Sequence, residues 1–178
     1  MLGSIEQARW LESPNCDSRP QNEEPSVIII HCISLPPGEY GSDEIERFFL
    51  NKLSADEHDY FASMAHLQVS SHFLIKRSGE LVQFVATHKR AWHAGESQCL
   101  QRANVNDFSI GIELEGLDTD PNGFTQCQYE CLNELVAELR RHYPNIKNQV
   151  FSHSDIAPGR KPDPGPFFNW ARLDIESL

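Results

Sequence analysis

The stretch SVIIIHCIS, residues 26–34, decides the fold. Val27, Ile28, Ile29 and Ile30 are four consecutive β-branched apolar residues, the mark of a short strand buried on both faces. Such a strand needs a packed layer above and below it, so a central sheet flanked by helices is expected. His31 falls where the apolar run ends, and α/β sheets gather functional groups at strand ends.

The rest of the chain supplies the layers. FSIGIELEG (108–116) reads as a strand with Phe108, Ile110, Ile112 and Leu114 on one face and Ser109, Gly111, Glu113 and Glu115 on the other. HFLIKRSGELVQFV (72–85) has the form of a hairpin turning at Gly79. SDEIERFFLNKL (42–53) reads as a helix capped by Ser42, with Ile45, Phe48, Phe49 and Leu53 as its apolar stripe. TQCQYECLNELVAELRRHYPN (125–145) is a longer helix. Thr125 and Gln128 have capping-box spacing, Leu132, Leu135, Val136 and Leu139 form the stripe, and Pro144 ends it. NQVFSH (148–153) is a last short strand. Strands and helices alternate, which predicts an α/β fold (α+β in some schemes): one domain with a mixed central sheet flanked by helices. Residues 1–25 are polar and broken by Pro14, Pro20 and Pro25, so an irregular lead-in is expected before a single folded domain spanning 26–178.

Bulk properties narrow the function. A chain of 178 residues, 39% hydrophobic and 23% charged, suits one globular domain. A formal net charge of −11 argues against a broad nucleic-acid footprint. The five cysteines are odd in number and form no C-x-x-C pair, which points to a reducing compartment. MLGSIEQARWLES lacks a secretory pattern, and no apolar run approaches the ~20 residues of a membrane span. The expectation is a cytoplasmic monomer or small oligomer with no nucleic-acid or membrane partner.

G-x-S-x-G, Walker A, G-x-G-x-x-G and H-E-x-x-H motifs are all absent. HSDIAPGRKPDPGP (153–166) stands out instead, because its four prolines exclude an inner strand and read as a loop stiffened at several points. A catalytic zinc takes three protein ligands and keeps one position for water. His31 and His153, each ending a strand, suit two of them, and Asp163 is the candidate for the third. Pro162 and Pro164 flank Asp163 and lower the entropy lost on ordering it. In extended geometry Lys161 shares the side of Asp163, and a cation beside a metal suggests that an anion forms nearby. Alternation leaves Glu113 on a solvated face or in a pocket, and small Ser109 and Gly111 leave room for something to approach. Trp92 reads as core or as a contact for a sugar or acyl group.

Five separated blocks carry a resemblance: VIIIHCISLPPGEYG, HLQVSSHFLI, KRAWHAG, NDFSIGIELEG and HSDIAPGRKPDPGPFFNW. In this order, within a span from Trp10 to Arg172, the chain resembles the zinc-dependent N-acetylmuramoyl-L-alanine amidases and the peptidoglycan recognition proteins related to them. Within that family it looks like the cytoplasmic amidases of 1,6-anhydro-muropeptides. The resemblance implies zinc bound by His31, His153 and Asp163, a catalytic Glu113, Lys161 beside the metal, and Trp92 in a block lining the substrate cleft. It implies hydrolysis of the amide between (1,6-anhydro-)N-acetylmuramic acid and L-alanine in cytosolic muropeptides during cell-wall recycling. A non-catalytic muropeptide sensor is the alternative. The chain departs from the family pattern at Cys32, where Asn is common, and at Gln68 and Asn104, where basic residues are common. Arg102 and Arg160 are then the candidates to hold the acidic peptide stem, with Arg160, Lys161 and Arg90 as a local basic patch.

Overall fold

The computed structural model describes residues 3–174. Its centre is a six-stranded sheet in the order β1 (Arg9–Trp10), β5 (Leu81–Gln83), β4 (Phe73–Ile75), β9 (Ser109–Glu115), β3 (Val27–Ile33), β10 (Val150–Ser152). The β4–β5 hairpin is antiparallel and every other pairing is parallel, so the sheet is mixed. Gly79, at φ +88°, supplies the left-handed residue of the hairpin turn.

Period-2 alternation divides the two central strands cleanly. Ile28 and Ile30 of β3, with Ile110, Ile112 and Leu114 of β9, pack against Leu132, Leu135, Val136 and Leu139 of α2 (Gln126–His142). Each such side chain, fully buried, contributes about 1.5–3 kcal/mol. Helix α2 begins with the expected capping box: Thr125 accepts from the Gln128 N–H, and the Gln128 side chain accepts from the Thr125 N–H.

The opposite face carries two separate apolar clusters. One joins Leu74, Val82 and Phe84 to Ile45, Phe48 and Phe49 of α1 (Glu44–Phe49). The other gathers Val27, Ile29, Ala94, Phe108 and Ile156. His31, Gly111 and Glu113 lie on the same face as Val27 and Ile29, in neither cluster. A polar site therefore opens between two hydrophobic ones.

Several boundaries differ from the sequence expectation. β3 runs on to Ile33 because β9 continues beside it to Glu115, so His31 sits inside the strand rather than at its end. Helix α1 is shorter than 42–53. It starts after Asp43, without a side-chain cap bond, and stops before Asn51, whose φ of +56° leaves the helical region. The segment 1–25 is not irregular throughout. β1 adds an edge to the sheet beside β5, and β2 (Cys16–Ser18) pairs with β6 (Lys89–Ala91). Partners far along the chain hold these short pieces: the Leu11 and Ser13 N–H groups donate to Gln83 O and Phe84 O. The proline-rich 153–166 stretch also opens with one helical turn, α3 (His153–Ile156). Two-residue strands β7 (Gln98–Cys99) and β8 (Arg102–Ala103) pair antiparallel with each other.

Candidate metal centre

Three elements bring three side chains to one point. His31 projects from β3, His153 is the first residue of α3, and Asp163 comes from the loop that follows. Ser152 and Asp155 form a reciprocal capping box that fixes the turn carrying His153. The Ser154 N–H donates to Asp163 O at 3.0 Å, and the Lys161 N–H to Ala157 O at 3.1 Å, which folds the proline loop back onto that turn. His31, His153 and Asp163 are all buried.

His31 Nδ1 lies 2.8 Å from His153 Nδ1 and 3.3 Å from Asp163 Oδ2, and His153 Nδ1 lies 3.0 Å from the same oxygen. A tetrahedral ion holding ligands at about 2.0–2.1 Å places them roughly 3.3 Å apart. Spacing and donor chemistry therefore fit a metal ion. Among the described residues this is the one group of at least three His, Cys, Asp or Glu side chains so placed. Cys32 lines the same cleft, but its Sγ faces Pro164 O at 3.8 Å. Burial, helped by the charges of Glu113 and Asp163, raises its pKa, and its Sγ lies outside the group formed by His31, His153 and Asp163.

The electrostatics leave His31 and Asp163 in the forms that a cation would meet. Burial pushes the His31 pKa down to about 4, against the opposing pull of Asp163, so its imidazole is neutral near pH 7. Burial alone would raise Asp163. Its hydrogen bonds with His153 and His31 outweigh this and hold it well below the usual carboxylate range.

The centre lies on a cleft of about 400 Å³. Glu113 lines it, with an Oε2 that is buried and without a hydrogen-bond partner. Burial, and then repulsion from Asp163, raise the Glu113 pKa well above normal, while Lys161 opposes the shift. Exposed Lys161 lines the cleft beside Asp163. Pro37, Phe48, Phe49, Tyr60 and Met64, from the segment 36–66 that follows β3, line the cleft together with Leu35, Leu67 and Val69 and make this wall apolar.

Trp92 and Arg160 are not among the lining residues. The Trp92 N–H donates to Ser70 Oγ, and Arg160 Nη2 donates to the carbonyls of Ala94 and Glu96, each at 2.6 Å. Arg90 is neutralised by Asp17 and Asp107, and Arg102 by Glu23, so neither adds a free cation to the cleft. Of the expected basic patch, Lys161 alone lines the cleft. One residue escaped the sequence reading: His93 lines the cleft with its Nδ1 2.9 Å from His31 Nε2. The small residues Ser109 and Gly111 were its signal, since the room they leave is filled by the His93 ring.

Fold and site together define an amidase. Residues 21–166 match the N-acetylmuramoyl-L-alanine amidase family, and the chain belongs to it as an N-acetylmuramoyl-L-alanine amidase. It is 50% identical over 171 residues, 96% of this chain and 90% of the relative, to the 1,6-anhydro-N-acetylmuramyl-L-alanine amidase AmpD of Citrobacter freundii. A crystal structure of a selenomethionine AmpD derivative matches with a TM-score of 0.93 at 49% identity, covering 97% of both chains. The amidase AmiD of E. coli, in complex with the substrate anhydro-N-acetylmuramic acid-L-Ala-D-γ-Glu-L-Lys, matches with a TM-score of 0.61 at 30% identity, covering 87% of this chain and 59% of that one.

Proposed function

We propose that this amidase works in peptidoglycan recycling as a zinc-loaded cytoplasmic monomer. Its substrates are muropeptides in which 1,6-anhydro-N-acetylmuramic acid is joined to L-alanine. The reading is carried by one observation: two imidazoles and a carboxylate converge within 3.3 Å, on a cleft that also exposes Lys161 and holds an unpartnered Glu113. The anhydro sugar is favoured by the similarity to AmpD and by the ligand bound to AmiD. Among the described residues no helix is long and apolar enough to cross a membrane.

His31, His153 and Asp163 would hold zinc, whose Lewis acidity polarises a carbonyl and lowers the pKa of water toward ~7. Glu113 takes the proton from the attacking water and passes it to the amide nitrogen as the C–N bond breaks. Its raised pKa suits both halves of that transfer, since a carboxylate of ordinary acidity is a weak base. Lys161 faces the amide oxygen as it gains negative charge, where loss of one such donor costs ~3–4 kcal/mol. The apolar wall receives the sugar and lactyl group. The products are the free muramic acid and a peptide beginning with L-alanine.

The test is mass analysis of products from anhydro-muropeptide and from intact wall, with and without chelator. Release of peptide from the soluble substrate, lost on chelation and restored by zinc, is expected. Cleavage of intact wall alone would overturn the substrate class, and full turnover after metal removal would overturn the zinc reading.

A further inference from the structure

A metal-ligating imidazole has a second nitrogen, and what that nitrogen touches fixes the ring. At His153 the partner is a carbonyl: Nε2 lies 3.2 Å from Ala94 O, which can only accept. At His31 the partner is another imidazole, His93. These two partners are consecutive residues, so one short segment orients both ligand rings.

The segment is built for this. Asn106 Oδ1 accepts from the N–H groups of His93 and Ala94, at 3.2 and 2.8 Å. The His93 ring packs over Gly111 so closely that a Cβ there would lie 2.5 Å from its Cγ. His31 itself is 1% exposed, which leaves no route for bulk water to replace His93 at its Nε2.

Proton bookkeeping then assigns every nitrogen along the chain. If His31 Nδ1 carries the lone pair that faces the metal, its proton sits on Nε2 and must be donated. The acceptor 2.9 Å away is His93 Nδ1, so the His93 proton sits on Nε2. That nitrogen lies 3.0 Å from Ser109 Oγ, which accepts it. Ser109, His93 and His31 form one directional relay ending on the metal side of His31.

We propose that His93 is the positioning residue of the metal centre: as the Nε2–H tautomer, fixed by Ser109, it accepts the Nε2–H of His31 and keeps His31 Nδ1 aimed at the ion. This rests on the zinc reading given above.

Two measurements test it, and neither reads turnover. In the zinc-loaded wild-type protein, nitrogen-15 imidazole NMR should show protonated Nε2 and unprotonated Nδ1 at both His31 and His93. A proton on His93 Nδ1 overturns the proposal. Zinc affinity, measured by competition with a chromophoric chelator, should fall about 10–100-fold in His93→Phe, which fills the space without an acceptor. His93→Asn, whose Oδ1 can stand where Nδ1 stood, should recover most of that loss. Equal affinity in wild type and His93→Phe overturns the positioning role and leaves the zinc reading intact. A wild type that does not bind zinc overturns both. If His93→Phe fails to fold, the wild-type tautomers and the affinity of His93→Asn decide.

Discussion

Replacing Glu113 by Gln should slow turnover severely and, at neutral pH, make the protein more stable. Glu113 has a buried, unpartnered Oε2 and a pKa raised first by burial and then by Asp163. A carboxylic acid whose folded pKa is raised is destabilising when ionised. Each unit of the shift corresponds to about 1.4 kcal/mol of stability. The sign follows directly. Below the ordinary carboxylate pKa, Glu113 is protonated both folded and unfolded, and Gln gains nothing. As pH rises toward the folded pKa, the wild type loses stability that Gln keeps, and the difference levels off above it. Leaving one buried polar group unsatisfied costs about 1–3 kcal/mol. In a domain of this size each kcal/mol moves the melting temperature by about 2–4 °C. Chelator-treated Glu113→Gln should therefore melt several degrees above wild type at pH 8 and together with it near pH 4. Its turnover with zinc restored should drop by about 10²–10⁴. Equal melting temperatures at pH 8 would refute the burial argument, and normal turnover would refute the base.

Four further outcomes follow from the same geometry. Asp163→Asn removes the one anionic ligand and should lower zinc affinity in chelator competition, with most activity lost at sub-saturating zinc. Lys161→Met should reduce kcat by about 10²–10³ while zinc content, read by elemental analysis, stays at wild-type level. Gly111→Ala places a Cβ into the His93 ring and should destabilise by about 1–3 kcal/mol in denaturant melts, with weaker zinc binding. Thr125→Ala removes the cap of α2 and should cost about 1 kcal/mol with kcat/KM unchanged, because that helix lies on the face of the sheet away from the cleft.

What could be read from the residues followed the strength of their local pattern. β3 and β9 announce themselves because burial forces an apolar run in one and strict alternation in the other. α2 does so through its stripe and its Thr125–Gln128 box. The convergence of Asp163 with His31 and His153 was legible because a carboxylate between two prolines is an unusual use of rigidity. Arg9–Trp10 and Cys16–Ser18 were not, since their pairing depends on β5 and β6, more than 70 residues away by register. Arg90 read as a free cation because Asp17, its neutralising partner, is equally remote in sequence. α3 hid behind the prolines, although its S-x-x-D cap, Ser152 to Asp155, was in view. His93 was missed for a subtler reason. Small residues on a strand imply space, but nothing local says whether substrate or a side chain occupies it.

The register of the two central strands also bears on how this enzyme can change over evolutionary time. His31 and Glu113 are direct neighbours across parallel strands, so their separation is set by the roughly 4.8 Å inter-strand spacing and not by any loop. A single-residue insertion in either strand would turn one of them toward α2, into a wall of isoleucine and leucine. Asp163 and Lys161, by contrast, sit on a loop tied to α3 through Asp163 O and Ala157 O, so a change of length there would move Asp163 off the two imidazoles while leaving the sheet intact. Variation among descendants of this chain should therefore accumulate in the cleft wall, while the two-strand core and this loop tolerate substitutions at outward positions but not changes in length.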